Sequence, residues 1–129
     1  MVGSRGAGGF DRLRLGSTGD RTAAHATTPV AVIPPTAEDD VEDPLGLMVS
    51  VDGSRAAQRA LRWAVDVSMT DVTRVIERGA PADVLVSRTG SGRLLVLGTH
   101  GRGAIGRMVF GSVSHQCLHH AAGPVVVVP

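Results

Sequence analysis

The residues best suited to chemistry are glycines and a serine near the C-terminal end, in the pattern G-x2-G-x9-G-S formed by Gly98, Gly101, Gly111 and Ser112. Glycines at 98, 101 and 103 let the backbone turn sharply and come close to a ligand, because no side chain intervenes. Gly111 and Ser112 are expected to begin a helix, whose unpaired N–H groups and dipole favour an anion. The pattern predicts a phosphate-binding turn; the alternative is that these residues serve only as turn and cap residues.

An acidic residue, Asp52, follows a short apolar run in the segment VDGS at residues 51–54. Open parallel α/β sheets bind ligands beyond the carboxyl ends of their strands, which is where Asp52 should lie. It would contact a ligand there, or it would merely cap the helix that follows. Arg102 and Arg107 could pair with phosphates, although solvated surface arginines are more common.

A cluster of histidines near the C-terminus raises the question of a metal. His115 and His119 are one helical turn apart, which suits shared ligation. Cys117 and His119 point in different directions on a helix, however, so the sequence predicts no metal site. Nothing resembles a catalytic base beside a positioned nucleophile, and the chain is not expected to be an enzyme.

The segment that carries this pattern is present twice. Residues 3–34 align without gaps with residues 98–129, and 12 of the 32 positions are identical. Such a repeat indicates duplication and sets the domain boundaries. The prediction is a remnant of a first domain over residues 1–34, an acidic, proline-rich linker over 35–45, and a second unit over 46–129.

Composition excludes several classes of protein. Lysine is absent, so the lysine-containing phosphate loop of classical NTPases cannot be built. Two Phe, one Trp and no Tyr leave little for stacking on bases, so no nucleic-acid partner is expected. No apolar run approaches 18 residues, which indicates no membrane span. A single cysteine fits a reducing compartment, and the expectation is a soluble, cytoplasmic protein.

The elements that must position these residues alternate along the chain. We expect a buried strand within 46–54, a helix over 55–69, an edge strand over 72–77, a helix that begins near Pro81 and frays by Gly90, a strand over 94–98, a helix from Ser112 to about Ala121, and a strand over 125–128. The N-terminal remnant adds one helix and the strand VAVI at 30–33. Right-handed crossovers make this order a parallel α/β sheet.

Together, the glycine pattern, the VDGS strand end and the tail HHAAGPVVVVP resemble a universal stress protein domain of the nucleotide-binding type. The first copy, with Gly3, Gly6, Gly16 and Ser17, matches the same terminal quarter, so the parent resembles a tandem form. The resemblance implies an α/β, parallel-sheet, Rossmann-like three-layer fold of the adenine nucleotide alpha hydrolase-like type. The fold is incomplete here, with an N-terminal remnant of a second copy.

The family's sheet has five strands, and its second strand and second helix have no counterpart in this chain. Helix 55–69 is joined to strand 72–77 by only two residues. We therefore predict that strand 72–77 lies directly beside strand 47–51, in the place of the lost strand.

The resemblance also implies a ligand and a partner. The ligand is an adenine nucleotide, ATP with or without Mg, and the chain would be a stress-response module. The residues that would bind the cofactor are Asp52, Gly53, Ser54, Gly98, Gly101, Arg102, Gly103, Gly111, Ser112 and Val113. Strands 30–33 and 125–128 correspond to the family's dimerisation edge, and we expect them to pair with each other or with a second chain. The alternative function is a degenerate, non-binding dimerisation or interaction module that retains only this edge.

Overall fold

The computed structural model describes residues 2–3, 15–34, 46–68, 75–90, 93–100 and 110–129. These residues contain five strands and four helices. In chain order the elements are β1 (Val2–Gly3), α1 (Ser17–His25), β2 (Val30–Ile33), β3 (Gly46–Val49), α2 (Arg55–Val67), α3 (Pro81–Thr89), β4 (Arg93–Gly98), α4 (Ser112–His120) and β5 (Val125–Val128). None of these described helices combines the length and apolarity needed to cross a bilayer.

The strands form one mixed sheet in the order β1-β2-β5-β4-β3. β3, β4 and β5 run parallel, as do β1 and β2, and the two groups meet where β2 and β5 pair antiparallel within the chain. The expected α/β fold with a mostly parallel sheet is confirmed. The sequence left open whether strands 30–33 and 125–128 pair with each other or with a second chain, and in this sheet they pair with each other.

Helices cover the two faces of the sheet unequally. On one face, α2 lays a stripe of small residues (Ala56, Ala57, Ala60 and Ala64) against the strands, and Val126 and Val128 of β5 point toward it. On the other face, α1, α3 and α4 pack over Val125 and Val127. Because successive side chains of a strand point to opposite faces, all four valines of β5 are buried.

Prolines and glycines set most of the boundaries. Pro81 is the first residue of α3, where its missing N–H costs nothing, and Gly90 ends that helix with a positive φ of 56°. Ser54 begins α2 as the N-cap, with its hydroxyl accepting from the N–H of Ala57 at 3.1 Å. β2 and β5 have the predicted bounds, and α2 ends two residues before the predicted end.

The strand predicted over residues 72–77 is absent from the part of that range that the structure describes. Residues 72–74 lie outside the described residues, and 75–78 have no regular structure. Val75 and Ile76 are 60% and 80% exposed, and Glu77 pairs with Arg88 of α3. The segment therefore leads into α3 instead of adding a strand beside β3, which is the last strand of the described sheet on that side. The buried strand expected within 46–54 also differs from the prediction. It is β3, which is only four residues long, is half-buried and lies at the edge of the described sheet.

Candidate functional site

A cavity of about 830 Å³ lies at the carboxyl ends of β3 and β4. Its walls come from the segment after β3, the end of β4, the first turn of α4 and one side of α1. The lining residues include Asp20, Arg21, His25, Asp52, His100, Ser112, Val113 and His115. Ligand sites of open α/β sheets lie at this edge, so the position suits a binding site.

The turn between β3 and α2 is held by its own polar groups. One carboxylate oxygen of Asp52 accepts from the backbone N–H of Ser54 at 2.8 Å, and Gly53 between them has a φ of 81°. The hydroxyl of Ser54 also donates to the backbone carbonyl of His100 at 3.2 Å, which joins this turn to the chain leaving β4. Asp52 is exposed at the cavity and does not cap α2, because Ser54 does.

Gly98, at the end of β4, is required by packing. A Cβ at this position would lie 2.5 Å from the backbone carbonyl carbon of Ala56 and 2.8 Å from its Cβ. The absence of a side chain thus lets the start of α2 approach the end of β4 closely. This contact explains the glycine without a ligand, although Gly98 also lines the cavity.

The first turn of α4 faces the cavity. Ser112 and Val113 line it, and no side chain caps the helix at Gly111. The N–H of Gly111 itself donates to the carbonyl of Thr99 at 2.8 Å, so this amide is already satisfied. The buried Ser114 donates to the carbonyl of Gly98 at 2.7 Å and fixes the helix start against β4. The N–H groups of the next residues are the ones available to an anion.

The predicted residues divide into three groups. Asp52, Gly98, Ser112 and Val113 are brought together on the cavity wall. Gly53, Ser54 and Gly111 adjoin the wall and shape its turns. Gly101, Arg102 and Gly103 lie outside the described residues.

One wall of the cavity comes from the N-terminal segment. Asp20, Arg21, Ala24 and His25 of α1 line it opposite α4. Sequence reasoning assigned no site residue to this segment. The signal that could have found it is the repeat itself, since antiparallel pairing of the two copies of one strand brings the two copies of the preceding helix to the same face of the sheet.

Comparison with known proteins finds similarity to one protein family over most of the chain. The model of the universal stress protein family matches residues 1–34 and 66–129. A universal stress protein of Mycobacterium tuberculosis strain H37Rv is 41% identical over 71 residues, which are 55% of this chain and 24% of that protein. A universal stress protein of Mycolicibacterium smegmatis is 26% identical over 177 residues, covering 99% of this chain and 60% of that protein. The chain thus spans less than two thirds of the length of these relatives.

Proposed function

The chain belongs to the universal stress protein family, which supports a role in the stress response, and we propose that it acts there by binding an adenine nucleotide, ATP with or without Mg. The observation that carries the proposal is the convergence of Asp52, Gly98, Ser112 and Val113 on one cavity. Asp52 precedes the other three residues by 46 to 61 positions in the sequence, so their meeting is a property of the fold.

The chemistry of the cavity suits a nucleotide phosphate at one end. The uncapped start of α4 offers N–H groups and the positive end of the helix dipole. Arg21 of α1 is the charged donor that the described wall contributes. A guanidinium can bind a phosphate through two parallel hydrogen bonds. Asp52, exposed nearby, would accept from a ribose hydroxyl or face a cation carried by the phosphates.

The volume is also sufficient. Sites for small molecules and cofactors usually occupy about 300–1,000 Å³, and this cavity of about 830 Å³ falls within that range. Its lining is mostly apolar, through residues such as Leu97, Phe110 and Ala57, and includes a few polar side chains. A lining of this composition suits an aromatic base together with charged groups.

The alternative, a non-binding interaction module, depends on a free sheet edge at 125–128. In the structure β5 lies between β2 and β4, so both of its edges are paired within the chain. This arrangement favours the nucleotide proposal over the interaction module.

The relative from Mycolicibacterium smegmatis supports the proposal that this chain is a shortened form of a tandem protein. It is aligned over 177 residues, more than the 129 that this chain contains, so it has intervening residues that this chain lacks. We interpret these as the absent parts of the two domains. The N-terminal segment over 1–34 and the unit over 46–129 would then be what remains of a tandem protein.

The decisive experiment compares Ser112→Asp with Ser17→Asp. Both serines are exposed and are the first residue of a nine-residue helix, and each follows a glycine N-cap that provides no side-chain hydrogen bond. Of the two, only Ser112 lines the cavity. An aspartate at either position interacts favourably with its helix dipole, so the two variants should be equally folded. Only the one at 112 places a negative charge where a phosphate would lie.

We expect millimolar ATP with Mg to raise the melting temperature of the unmodified chain and of Ser17→Asp, because a ligand of the folded state stabilises it by mass action. Ser112→Asp should show no such rise. An absent shift in the unmodified chain would reject the proposal, and equal shifts in both variants would reject the location of the site.

A further inference from the structure

Three metal-ligating side chains meet where α1 and α4 lie side by side. Asp20 projects from α1, and His115 and His119 project from α4. One ligand atom from each residue can be chosen such that all three lie within 4.8 Å of one another. We propose that these residues bind a divalent transition-metal cation of the zinc type, which links the N-terminal segment to the last helix.

The polar atoms at this point are unsatisfied by the described part of the protein. Asp20 Oδ1 and His119 Nδ1 are shielded from solvent and have no hydrogen-bond partner among the described residues. The nearest approach between the two side chains joins His119 Nε2 to Asp20 Oδ1 at 3.9 Å, which is too long for a hydrogen bond. Buried polar atoms without partners are uncommon in folded proteins, and a cation bound between the two side chains would satisfy Asp20 Oδ1. It would bind His119 through Nε2, the ring nitrogen that faces Asp20.

The spacing within α4 is favourable. Residues four positions apart lie on the same side of a helix, and the two imidazole rings have centroids 4.5 Å apart. Zinc binds imidazole nitrogen and carboxylate oxygen at about 2.0–2.2 Å in tetrahedral geometry, so its ligand atoms lie about 3.3 Å from one another. The present separations, within 4.8 Å, would have to shorten on binding. Two histidines and one carboxylate leave one position of a tetrahedral ion for water.

The position within the repeat explains why the cluster forms here. Asp20 and His115 are equivalent residues of the two copies, 95 positions apart. Since the two copies pack against each other through β2 and β5, equivalent positions of α1 and α4 face each other. A bound cation would join the two copies and add stability to a chain whose small size limits its hydrophobic core. Cys117 points into the core and takes no part.

The test uses the untagged chain, without nucleotide, titrated with Zn²⁺ by calorimetry and with Co²⁺ by visible absorption. We expect one ion per chain, the absorption bands of tetrahedral Co²⁺, and a rise in melting temperature. Loss of a partner that only orients a metal ligand weakens binding by about 10- to 100-fold. Asp20→Asn, His115→Gln and His119→Gln remove ligands themselves, so each should weaken binding by at least that factor.

His120→Gln is the matched control, because His120 is the neighbouring exposed histidine of the same helix and is not in the cluster. It should bind Zn²⁺ as the unmodified chain does. His115 is exposed, so His115→Gln is expected to stay folded, and circular dichroism checks this. No binding by the unmodified chain, or equal loss in His115→Gln and His120→Gln, would overturn the proposal. Because ATP is absent throughout, the result is independent of the nucleotide site.

Discussion

Ala31 of β2 lies directly opposite Val126 of β5, which is its own counterpart 95 positions further along the chain. Val30 faces Val127 and Val32 faces Val125, so each residue pairs with the copy of the other. This register is that of a two-fold axis passing between the strands, as in an isologous contact between identical subunits. The chain therefore contains, within one molecule, the kind of antiparallel contact by which two identical domains would associate.

This relationship predicts that the N-terminal segment belongs to the core. Val32 and Val127 are equivalent residues with 3% and 1% exposure. Val32→Ala and Val127→Ala should each lower the free energy of unfolding by about 2 kcal/mol, because each removes buried methyl groups and leaves a cavity. Urea denaturation measures both values. The control is Ile76→Ala at an exposed position, where a change within about 0.5 kcal/mol is expected. A Val32→Ala variant as stable as the unmodified chain would show that β2 is not docked.

The glycine at the end of β4 gives a second prediction. Gly98→Ala should lower the free energy of unfolding by about 1–3 kcal/mol, because the new methyl group would overlap the backbone of Ala56. Gly46→Ala should cost less, because the three atoms nearest its new Cβ, at 2.7–3.2 Å, belong to the side chain of Arg93 and not to backbone, so a side chain alone must shift. Thermal denaturation of both variants without ligand checks this. Equal melting temperatures would indicate that Gly98 is not needed for packing.

Sequence reasoning succeeded where local signals were strong. Prolines enclose both β2 and β5, and a proline and a glycine enclose α3, so these elements have the expected bounds. Alternating apolar residues also predicted a strand at 72–77, but Val75 and Ile76 are exposed and pair with none of the described strands. Alternation alone does not supply a partner edge, and α3 holds the end of this segment through the Glu77–Arg88 ion pair.

The same limit applies to the site. Asp52 and Ser112 were predicted because each lies at the end of a recognisable element. Asp20 and Arg21 were not, since nothing in their own neighbourhood suggests binding. Their contribution depends on the packing of α1 beside α4, which is a long-range consequence of the β2–β5 pairing.

The cysteine provides a probe of unfolding. Cys117 is fully buried, and burial raises the pKa of its thiol to about 11. Because the thiolate is the reactive form, Cys117 should resist thiol reagents at neutral pH in the folded chain and react fully in urea. The rate of labelling by a chromogenic disulfide reagent, followed by absorbance across a series of urea concentrations, should follow the unfolding transition. Rapid stoichiometric labelling without denaturant would contradict the packing of α4.

The histidine between α1 and α4 makes stability depend on pH. His119 has a lowered pKa in the folded chain, caused first by burial and then by His115 and His120, with Asp20 opposing them. Below the ordinary histidine value of 6.5 the unfolded chain therefore binds a proton that the folded chain does not yet bind. The contribution of His119 to stability is therefore complete above pH 6.5 and is lost as the pH drops toward the folded-state pKa.

Urea denaturation in the presence of a chelator, at about pH 7.5 and about pH 5.5 on either side of the ordinary histidine pKa, should show this loss of stability. His119→Gln should reduce the difference, whereas His25→Gln, at an exposed position of α1, should retain it. A difference unchanged in His119→Gln would assign the pH dependence to other groups.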